Sequence, residues 1–583
     1  MGGKPKTAEH GIVKRFDGEI LIVFLLALAM RIAYFLTVRS DLYYRVPLLD
    51  SAWYHRAALQ IAHGDFWGTG VFFRAPLYSY FVAFWYRIVA ENPAAPKIAQ
   101  LFLGAGTCAV LVLVGRRMFD RRAAFISGIV AACYPILIFF DGELLATSVA
   151  SFLGVLLLFL VLRAWDGKGA RPWVIAGLVL GLAGVNRPTI LIFGLALVVW
   201  LMLDRSRPRR AWAGLILGAA VFILPVTVRN ALVARDPVPI AYQGGVNFYM
   251  GNNPEADGKS ARLPGWSELG RDWSAFERDT RRMAEAEAGR TLTASEESRF
   301  WTVKALRFLA DHPSRAAALL GRKIYYLANG FEIANNKDVY FFGRYSPILG
   351  ALVWKRGLAF PTGLLIPLAA IGLVFSTGRP KKPWVLYLYL LCQAIAILAF
   401  FVCARFRVAV LPVLILFAVW GVRELAARIR GGPTARTLGA GLAGIALLIL
   451  SNTNLLGVTD TSRWQDHYDL GLVHARTGDF GGARSAFEQA LRLNPDDAPI
   501  LYNLGNIHLN LGNLETAARY FGDALRIDPG MHSARVNLGI CLGRAGRLED
   551  AEREFQRVLE ADPGNPQALA NLRLIERIRE EGP

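Results

Sequence analysis

Carboxylates that lie beside aromatic side chains are the first candidates for chemistry in this sequence. Asp50 stands in the segment LLDSAWYHRAALQIAHGD, residues 48–65, and is followed closely by Trp53 and Tyr54. A partly buried carboxylate can take a proton from a hydroxyl, because burial adjusts its pKa. Asp50 also directly precedes a helical pattern, so a helix N-cap is the alternative interpretation. The spacing alone favours neither.

Two further acids, Asp141 and Glu143, lie in the segment FFDGELL, residues 139–145. The flanking residues are apolar on both sides, which predicts a tight hairpin between two membrane spans. Both acids are then expected at the outer edge of the bilayer, where acidic groups are costly unless they are paired or functional. Turn formation by Asp-Gly is the alternative explanation for Asp141.

Several arginines are predicted at the same outer edge: Arg187 in VNRPT, Arg229 in TVRN, and Arg405 and Arg407 in CARFRV. Positive charge there opposes the usual bias toward the cytoplasmic side. Arginine binds phosphate through two parallel hydrogen bonds, which makes a phosphate site one explanation. Snorkelling, or pairing with the two acids of the hairpin, is the other.

Two glycine- and asparagine-rich segments are predicted to lie outside the membrane, YQGGVNFYMGNNPEADGK at 242–259 and YYLANGFEIANNKDVYFF at 325–342. Gly244, Gly245 and Gly251 permit tight backbone turns, and Asn247 and Asn252 could donate hydrogen bonds to a sugar. A glycine-rich turn capped by its own asparagines is the alternative.

The elements that must position these residues are apolar helices. The chain has 583 residues, of which 54% are hydrophobic and 19% charged, and its mean hydropathy is +0.34. A soluble domain carries more charge, near 25%. We therefore predict an all-α polytopic membrane protein. About eleven stretches are apolar enough to span: 20–38, 98–115, 123–140, 144–163, 173–187, 189–203, 211–228, 358–376, 384–402, 406–422 and 436–452.

Basic clusters orient these stretches. If all eleven span, every cluster falls on one side, which predicts a cytoplasmic N-terminus. The clusters are Lys14/Arg15, Arg116/Arg117/Arg121/Arg122, Lys168/Arg171, Arg205/Arg207/Arg209/Arg210, Arg379/Lys381/Lys382 and Arg423/Arg428/Arg430/Arg436. Residues 75–90 fit this arrangement only as an interfacial helix. Two long external loops remain, 39–97 and 229–350, and loops of that length usually carry function.

A 34-residue period marks the C-terminal part, 461–583, as a separate domain from 1–460. The period repeats in four registers, through Gly471/Gly505/Gly539, Ala483/Ala517/Ala551, Phe487/Phe521/Phe555 and Pro495/Pro529/Pro563. This pattern is typical of tetratricopeptide repeats, which form an α-solenoid. The part 461–583 has 14 basic and 18 acidic residues, a net charge of −4, so the positive charge of the whole chain belongs to the membrane part. We predict that the repeats bind a protein partner; a stabilising or oligomerising appendage is the alternative.

The order of features resembles that of the C-type (GT-C) glycosyltransferases, in the branch of the protein O-mannosyltransferases and the lipid A aminoarabinose transferase. The resemblance covers roughly 20–420. It rests on an early external Asp, AHGD at 62–65, FRAPLYSYFVAFWY at 73–86, GRRMFDRRAAFISGIVAACYP at 115–135, DGELL at 141–145, a large external loop, and an RFR-x4-P element from Arg405 to Pro412.

The resemblance implies an enzyme that uses a polyprenyl-phosphate sugar donor outside the cytoplasm, with inversion, in the bacterial plasma membrane. It implies that Asp50 is the catalytic carboxylate. Many relatives have Asp-Glu at this point, whereas Ser51 follows here, so Asp141 or Glu143 would have to supply a second acid. The donor phosphate is assigned to Arg405, Arg407 and Arg187, and substrate contacts to His55, Arg74, Asn247, Asn252 and Glu332.

The expected partners are the lipid-linked donor, a protein or glycolipid acceptor, and the membrane. No metal-ligand spacing is present, so no metal site is named; relatives differ in their use of a divalent metal, and this alternative stays open. Nucleic acid is not expected, because the basic residues follow topology and the repeat domain is acidic. Two other functions compete: a transporter or flippase for a lipid-linked glycan, which predicts midplane carboxylates and broken helices, and a non-catalytic scaffold that presents the repeats.

Overall fold

The computed structural model describes residues 17–167, 169–204, 209–264, 273–355, 357–377, 383–458 and 463–581. Within these ranges the chain is helical and contains no strand, apart from one isolated bridge between Trp354 and Phe360. The predicted all-α class is confirmed. Part of the basic clusters falls outside the described residues, namely Lys14, Arg15, Lys168, Arg205, Arg207, Arg379, Lys381 and Lys382.

The helices before residue 235 are α1 Gly18–Val38, α2 Leu42–Arg45, α3 Asp50–Ala62, α4 Leu77–Ile88, α5 Ala94–Met118, α6 Arg121–Ala132, α7 Pro135–Gly142, α8 Thr147–Asp166, α9 Arg171–Asn186, α10 Leu191–Leu203 and α11 Arg210–Ala234, with a 3-10 turn at Pro188–Ile190. The next helices are α12 Gly244–Gly251, α13 Trp273–Ala288, α14 Ala294–Asp311, α15 Pro313–Ala328, α16 Val339–Phe342 and α17 Pro347–Leu352. The two segments predicted as external loops are therefore largely helical.

The last apolar helices are α18 Thr362–Ser376, α19 Trp384–Ala399, α20 Ala404–Arg407, α21 Leu411–Arg430 and α22 Ala435–Asn452. The repeats follow as α23 Arg463–Arg476, α24 Phe480–Leu493, α25 Ala498–Asn510, α26 Leu514–Ile527, α27 His532–Arg544, α28 Leu548–Ala561 and α29 Pro566–Glu581. The segment 75–90, predicted as one short interfacial helix, contains the 12-residue helix α4.

By length and composition, five of the described helices could cross a membrane: α1, α5, α8, α11 and α22. A sixth span results if α6 and α7, which are bent by 51° at their junction, are counted together. The sequence predicts eleven. The difference arises because four predicted spans fall on apolar helices of 10–17 residues, shorter than the ~20 residues that a bilayer core needs. A fifth falls on α21, whose C-terminal half carries Arg423, Glu424 and Arg428.

Close helix packing in the apolar part depends on small residues, as is usual between membrane helices. Gly177 and Gly181 of α9 face the backbone of α11 at Leu215 and Ala219, and a Cβ at either glycine would overlap a carbonyl oxygen there. Helix α9 is thereby held against α11 and ends at Asn186, next to Arg187.

A buried ion pair joins α1 to α7. Nε of Arg31 donates to Asp141 at 2.7 Å, Ser148 donates to the other carboxylate oxygen, and the Arg31 guanidinium also donates to the carbonyls of Ala27 and Ala132. Asp141 therefore lies in the last turn of α7 and is buried, whereas Glu143 begins the short connection to α8; the prediction that both acids lie in the turn is wrong for Asp141. Pairing with Arg31 compensates the cost of burying this carboxylate.

The chain divides into two compact units. The first contains α1 and the helices α3–α22; the second contains Asp41–Leu48, with α2, and the repeat helices α23–α29. Inside the second unit the 34-residue period has a direct structural basis, since Gly471, Gly505 and Gly539 each lie against the phenylalanine of their own repeat. Those phenylalanines, Phe487, Phe521 and Phe555, are buried.

Candidate active site

The first unit encloses a cavity of about 260 Å³. Its wall combines the start of α3, the segment before α4, the junction of α9 with the 3-10 turn, helix α12, and the end of α19 with α20. Asp50, Arg74, Arg187, Asn247 and Arg405 line this cavity, so five of the predicted site residues come together. These residues span most of the first unit's sequence, and only the fold brings them to one place.

Asp50 is the first residue of α3 and is buried, with a relative exposure of 4%. One carboxylate oxygen pairs with Nη1 of Arg74 at 2.6 Å, and the other accepts a hydrogen bond from Arg405. The N-cap of this helix is Leu49, which makes no side-chain cap bond, so the N-cap interpretation of Asp50 is wrong. A carboxylate at a helix N-terminus is further stabilised by the helix dipole.

Leu49 itself has a φ of 51°, a backbone conformation that residues other than glycine rarely adopt. Such conformations are costly and are found mainly at functional positions, where the surrounding structure imposes them. Here the turn at Leu49 directs the chain so that the next residue, Asp50, enters the cavity wall.

Opposing effects set the pKa of Asp50. Burial alone would raise it, but the charges of Arg74 and Arg405 outweigh burial and hold the pKa of Asp50 well below its usual range. Asp50 is therefore ionised in the free protein. A group with so low a pKa is a poor base until at least one of its arginine partners is drawn away.

The residues that follow Asp50 hold Arg74 in position. The guanidinium of Arg74 lies 5.0 Å from the ring centroid of Trp53 and 5.7 Å from that of Tyr54. Cation–π contacts of this kind favour a charged guanidinium at the ring face. The aromatic residues noted in the sequence therefore support the arginine that binds the carboxylate.

Arg187 and Arg405 share one aromatic neighbour. Both guanidinium groups lie over the ring of Phe406, at 4.6 Å for Arg187 and 5.1 Å for Arg405. Arg187 forms no ion pair with a carboxylate in the ranges that the structure describes. With Arg74, the cavity thus holds three arginines against one carboxylate, a charge balance suited to an anionic ligand such as a phosphate.

Helix α12 contributes Asn247 to the wall. The 242–259 segment, considered as a glycine-rich turn, instead forms this helix, and Gly251 allows it to approach the backbone at Phe400, where any Cβ would overlap a carbonyl oxygen. Asn252 does not line the cavity: its amide donates to two carbonyls and its Oδ1 accepts from Lys323 at 2.9 Å. Burial lowers the pKa of Lys323 to about 8.

Three other predicted site residues, Arg407, Glu332 and His55, also lie away from the cavity wall, and each is engaged elsewhere. Arg407 donates to Glu332 at 2.7 Å and to the carbonyl of Phe331, and Glu332 also accepts from Thr362 at 2.5 Å. His55 contacts the hydroxyl of Tyr86 at 2.7 Å, and burial lowers its pKa. These pairings place Arg407, Glu332 and His55 in the packing of the fold.

The acids considered as replacements for a second catalytic carboxylate are likewise paired. Asp141 is bound by Arg31, as described above, and Glu143 pairs with Lys337 at 3.0 Å. Neither lines the cavity. The structure therefore brings one carboxylate, that of Asp50, into the part of the wall described here.

Sequence reasoning missed several polar residues of the wall, among them Asn186, Gln243, Asn335, Asn336 and Gln393. Asn335 and Asn336 lie in the segment 325–342 that its composition had already marked, and their adjacency was a usable signal. No sequence signal pointed to Gln393, which is a single polar residue in the apolar helix α19 and belongs to no motif. No group of three His, Cys, Asp or Glu side chains suited to a metal ion occurs in the described ranges.

Comparison with known protein families gives a match in this part of the chain. Residues 74–228 match the model described as dolichyl-phosphate-mannose-protein mannosyltransferase. This stretch is similar to that family. It covers roughly a quarter of the chain and includes Arg74 and Arg187, whereas Asp50 and Arg405 lie outside it. The resemblance inferred from sequence is confirmed over residues 74–228.

The repeats match two tetratricopeptide models, over residues 468–532 and 511–574. The predicted repeat class is therefore confirmed.

Among solved structures, the repeats are similar to YrrB, described as a TPR protein with an unusual peptide-binding site, at 24% identity over 27% of this chain and 76% of that chain, with a TM-score of 0.20. The oligosaccharyltransferase of Archaeoglobus fulgidus in the apo form matches at 16% identity over 82% of this chain and 60% of that chain, with a TM-score of 0.40. No curated protein sequence matches the chain.

Proposed function

We propose that the chain transfers a monosaccharide from a polyprenyl-phosphate donor to an acceptor hydroxyl, on the extracytoplasmic face of a bacterial plasma membrane and with inversion. The observation that carries this proposal is the position of Asp50, bound by Arg74 and Arg405 in the wall of a cavity that also contains Arg187. The match of residues 74–228 to the mannosyltransferase family supports the same reaction class.

The donor phosphate binds Arg187 and Arg405. Both guanidinium groups lie over Phe406 at the cavity wall. Arg187 has no carboxylate partner among the described residues, whereas the phosphate competes with Asp50 for Arg405. The wall beside them is apolar, with Ile397, Phe400 and Phe401 on or next to α19, and suits the first isoprene units of the lipid. Arg407, assigned to the phosphate from sequence, is given no part in binding because it pairs with Glu332.

In the transfer step, the acceptor oxygen forms a bond to C1 of the sugar while the bond from C1 to the phosphate oxygen breaks. The acceptor proton passes to Asp50, and the polyprenyl phosphate leaves with an additional negative charge. Arg405 and Arg187 stabilise that charge. Attack opposite the leaving group inverts the configuration at C1.

Binding of the donor prepares Asp50 for this role. A phosphate on Arg405 neutralises one of the two charges that hold the pKa of Asp50 down, so the pKa rises toward that of an effective base. The three arginines also supply positive charge that a divalent cation supplies to phosphate in other enzymes. Transfer measured with and without EDTA tests whether a cation contributes.

The acceptor is a protein or glycolipid, and the repeat domain, placed outside the cytoplasm with the N-terminus inside, binds a protein partner. A transporter is a weaker proposal, although the 51° bend between α6 and α7 is a feature it predicts. The carboxylate next to that bend, Asp141, is bound by Arg31 and Ser148 and lies outside the cavity. A non-catalytic scaffold that presents the repeats does not account for the arginines gathered around Asp50.

The proposal is tested with the purified full chain in lipid nanodiscs. The chain is incubated with polyprenyl phosphates that carry mannose, glucose, galactose, N-acetylglucosamine or arabinose, and a density map of the complex is determined. We expect a phosphate between Arg187 and Arg405, with the sugar within hydrogen-bond reach of Asp50. A lipid bound away from this cavity, or no bound lipid with any of the five donors, would contradict the proposal.

A further inference from the structure

Two consecutive asparagines, Asn335 and Asn336, line the cavity in the segment between α15 and α16. Oδ1 of Asn335 and Nδ2 of Asn336 are buried, and neither has a hydrogen-bond partner among the residues that the structure describes. A buried polar atom without a partner has lost its hydration without compensation, so native proteins contain few of them. A pair of such atoms in one cavity wall points to a ligand that completes them.

The chemistry of that ligand follows from the two atoms. One is a carbonyl acceptor and the other an amide donor, and a hydroxyl group both donates and accepts. Two neighbouring hydroxyls of a monosaccharide can therefore satisfy both asparagines. The amides carry no net charge, whereas Arg187 and Arg405 in the same cavity carry the charge that a phosphate needs. The polar part of the wall thus contains groups of two kinds, for two parts of one ligand.

An ion pair holds this segment in place. The side chain of Lys337, the next residue, is 6% exposed and pairs with Glu143, which is 3% exposed, at 3.0 Å. Glu143 is itself fixed, because Nε2 of Gln100 donates to its carbonyl oxygen at 2.7 Å and to that of Asp141 at 3.1 Å. Contacts therefore run from α5 through Glu143 and Lys337 to the two asparagines.

We propose that Asn335 and Asn336 bind hydroxyl groups of the donor monosaccharide, and that Glu143 is a positioning residue that acts on them through Lys337. The proposal rests on the proposed function, since it requires a sugar-phosphate lipid in this cavity. It gives Glu143 a role different from that of a second catalytic acid.

The test compares two ligands on the full chain in nanodiscs: the polyprenyl phosphates carrying the five sugars named above, and the same polyprenyl phosphate without a sugar. We expect the wild-type protein to bind at least one sugar-bearing lipid more tightly than the bare phosphate. Asn335→Ala and Asn336→Ala should each weaken binding of that lipid roughly tenfold, the loss expected for one hydrogen bond in a buried site, and leave binding of the bare phosphate unchanged. Asn510→Ala, in the repeat domain, is the matched control.

The positioning role has its own readout. Glu143→Gln and Lys337→Met should raise the KM of the donor more than they lower kcat, and should weaken binding of the sugar-bearing lipid alone. Lys337→Arg keeps the charge opposite Glu143 and should restore most of the affinity. Binding of the bare phosphate shows that each variant is folded, and Asn335→Ser and Asn336→Ser replace the alanine variants if these fail to fold.

Each contrary outcome has a distinct meaning. Equal losses for both ligands in the asparagine variants would overturn the sugar subsite and leave only a structural role. Wild-type protein that binds the bare phosphate but gains nothing from any sugar would overturn the subsite while the phosphate site stands. Wild-type protein that binds neither ligand would overturn the proposed function together with the subsite.

Discussion

Asp50 accepts a hydrogen bond from Arg405, although 355 positions separate the two residues in the sequence. Arg74 binds the other oxygen of the same carboxylate at 2.6 Å. The carboxylate is therefore fully engaged before any substrate is present. A phosphate that binds Arg405 competes for the same guanidinium, so donor binding and the state of the base are coupled in the mechanism proposed above.

Replacing Asp50 with Asn keeps the shape of the side chain and removes the base. We expect Asp50→Asn to lower sugar transfer by about 10²–10⁴-fold, the usual contribution of a general base, while the donor still binds. Transfer is measured with purified protein and radiolabelled donor. Asp65→Asn is the matched control, because Asp65 is exposed and caps the backbone at Gly68. Full transfer by the Asp50 variant would remove Asp50 from the chemical step.

Arg187 should contribute to donor affinity, because it lies in the cavity over Phe406 without a carboxylate among the described residues. Charge-assisted hydrogen bonds contribute about 1.5–3 kcal/mol, so Arg187→Gln should weaken binding of bare polyprenyl phosphate by roughly 10–150-fold. Arg229→Gln is the comparison: Arg229 lies over Phe72 and donates to the carbonyl of Gly70, outside the cavity wall. It should lower the Tm without changing the Kd. An unchanged Kd for Arg187→Gln together with a weaker Kd for Arg229→Gln would show that the phosphate does not bind at Arg187.

Arg407 should act on stability. Its buried ion pair with Glu332 joins α20 to the segment after α15, and Arg407→Met leaves that carboxylate buried without its charge partner. Breaking such a pair costs about 3–5 kcal/mol, so the variant should unfold at a clearly lower temperature. Arg407→Met combined with Glu332→Gln should recover part of the loss. If Arg407→Met left the stability unchanged and weakened donor binding, Arg407 would instead contribute to the phosphate site.

The pH dependence of transfer should differ between the free and the donor-bound protein. In the free protein the pKa of Asp50 lies below its ordinary value of 3.8. Asp50 is therefore ionised above pH 3.8, and the stability that its ionised form contributes is fully present there. This stability is lost only as the pH falls toward the lowered pKa. The profile of kcat/KM for the donor should therefore show no acid limb from Asp50 between pH 5 and pH 8, a range that lies about one unit or more above the ordinary pKa. The kcat profile reports the donor-bound protein, in which bound phosphate neutralises Arg405 and raises the pKa of Asp50. This profile should therefore show an acid limb at higher pH. Identical acid limbs in both profiles would contradict the coupling.

The repeat domain shows what local pattern can establish. Gly505 and Phe521, for example, recur at fixed positions in each 34-residue unit and pack against each other inside that unit. Each repeat contacts mainly its neighbours, so its class follows from a short stretch of sequence. The apolar helices follow in the same way from the composition of continuous segments.

Local sequence predicts loops and turns less well where a residue from a distant part of the chain contacts the segment. The FFDGELL segment reads locally as a hairpin, yet Arg31 of another helix pairs with Asp141 and a helical turn continues through Gly142. The glycines near Gly245 suggest a turn, yet they allow a helix to approach another backbone closely. In both cases the deciding contact comes from a remote part of the chain, and no local pattern encodes it.

The sequence by itself determined the helical class, the repeat domain, the resemblance to the mannosyltransferases and the types of residue available for chemistry. Only the tertiary structure decided which of them share a cavity: Arg187 and Arg405 lie in it with Asp50, whereas Arg407, two residues further on, is bound by Glu332. The reason is physical. Helical periodicity and hydropathy are properties of neighbouring residues, whereas an ion pair depends on the distance between side chains that only the packing of helices sets.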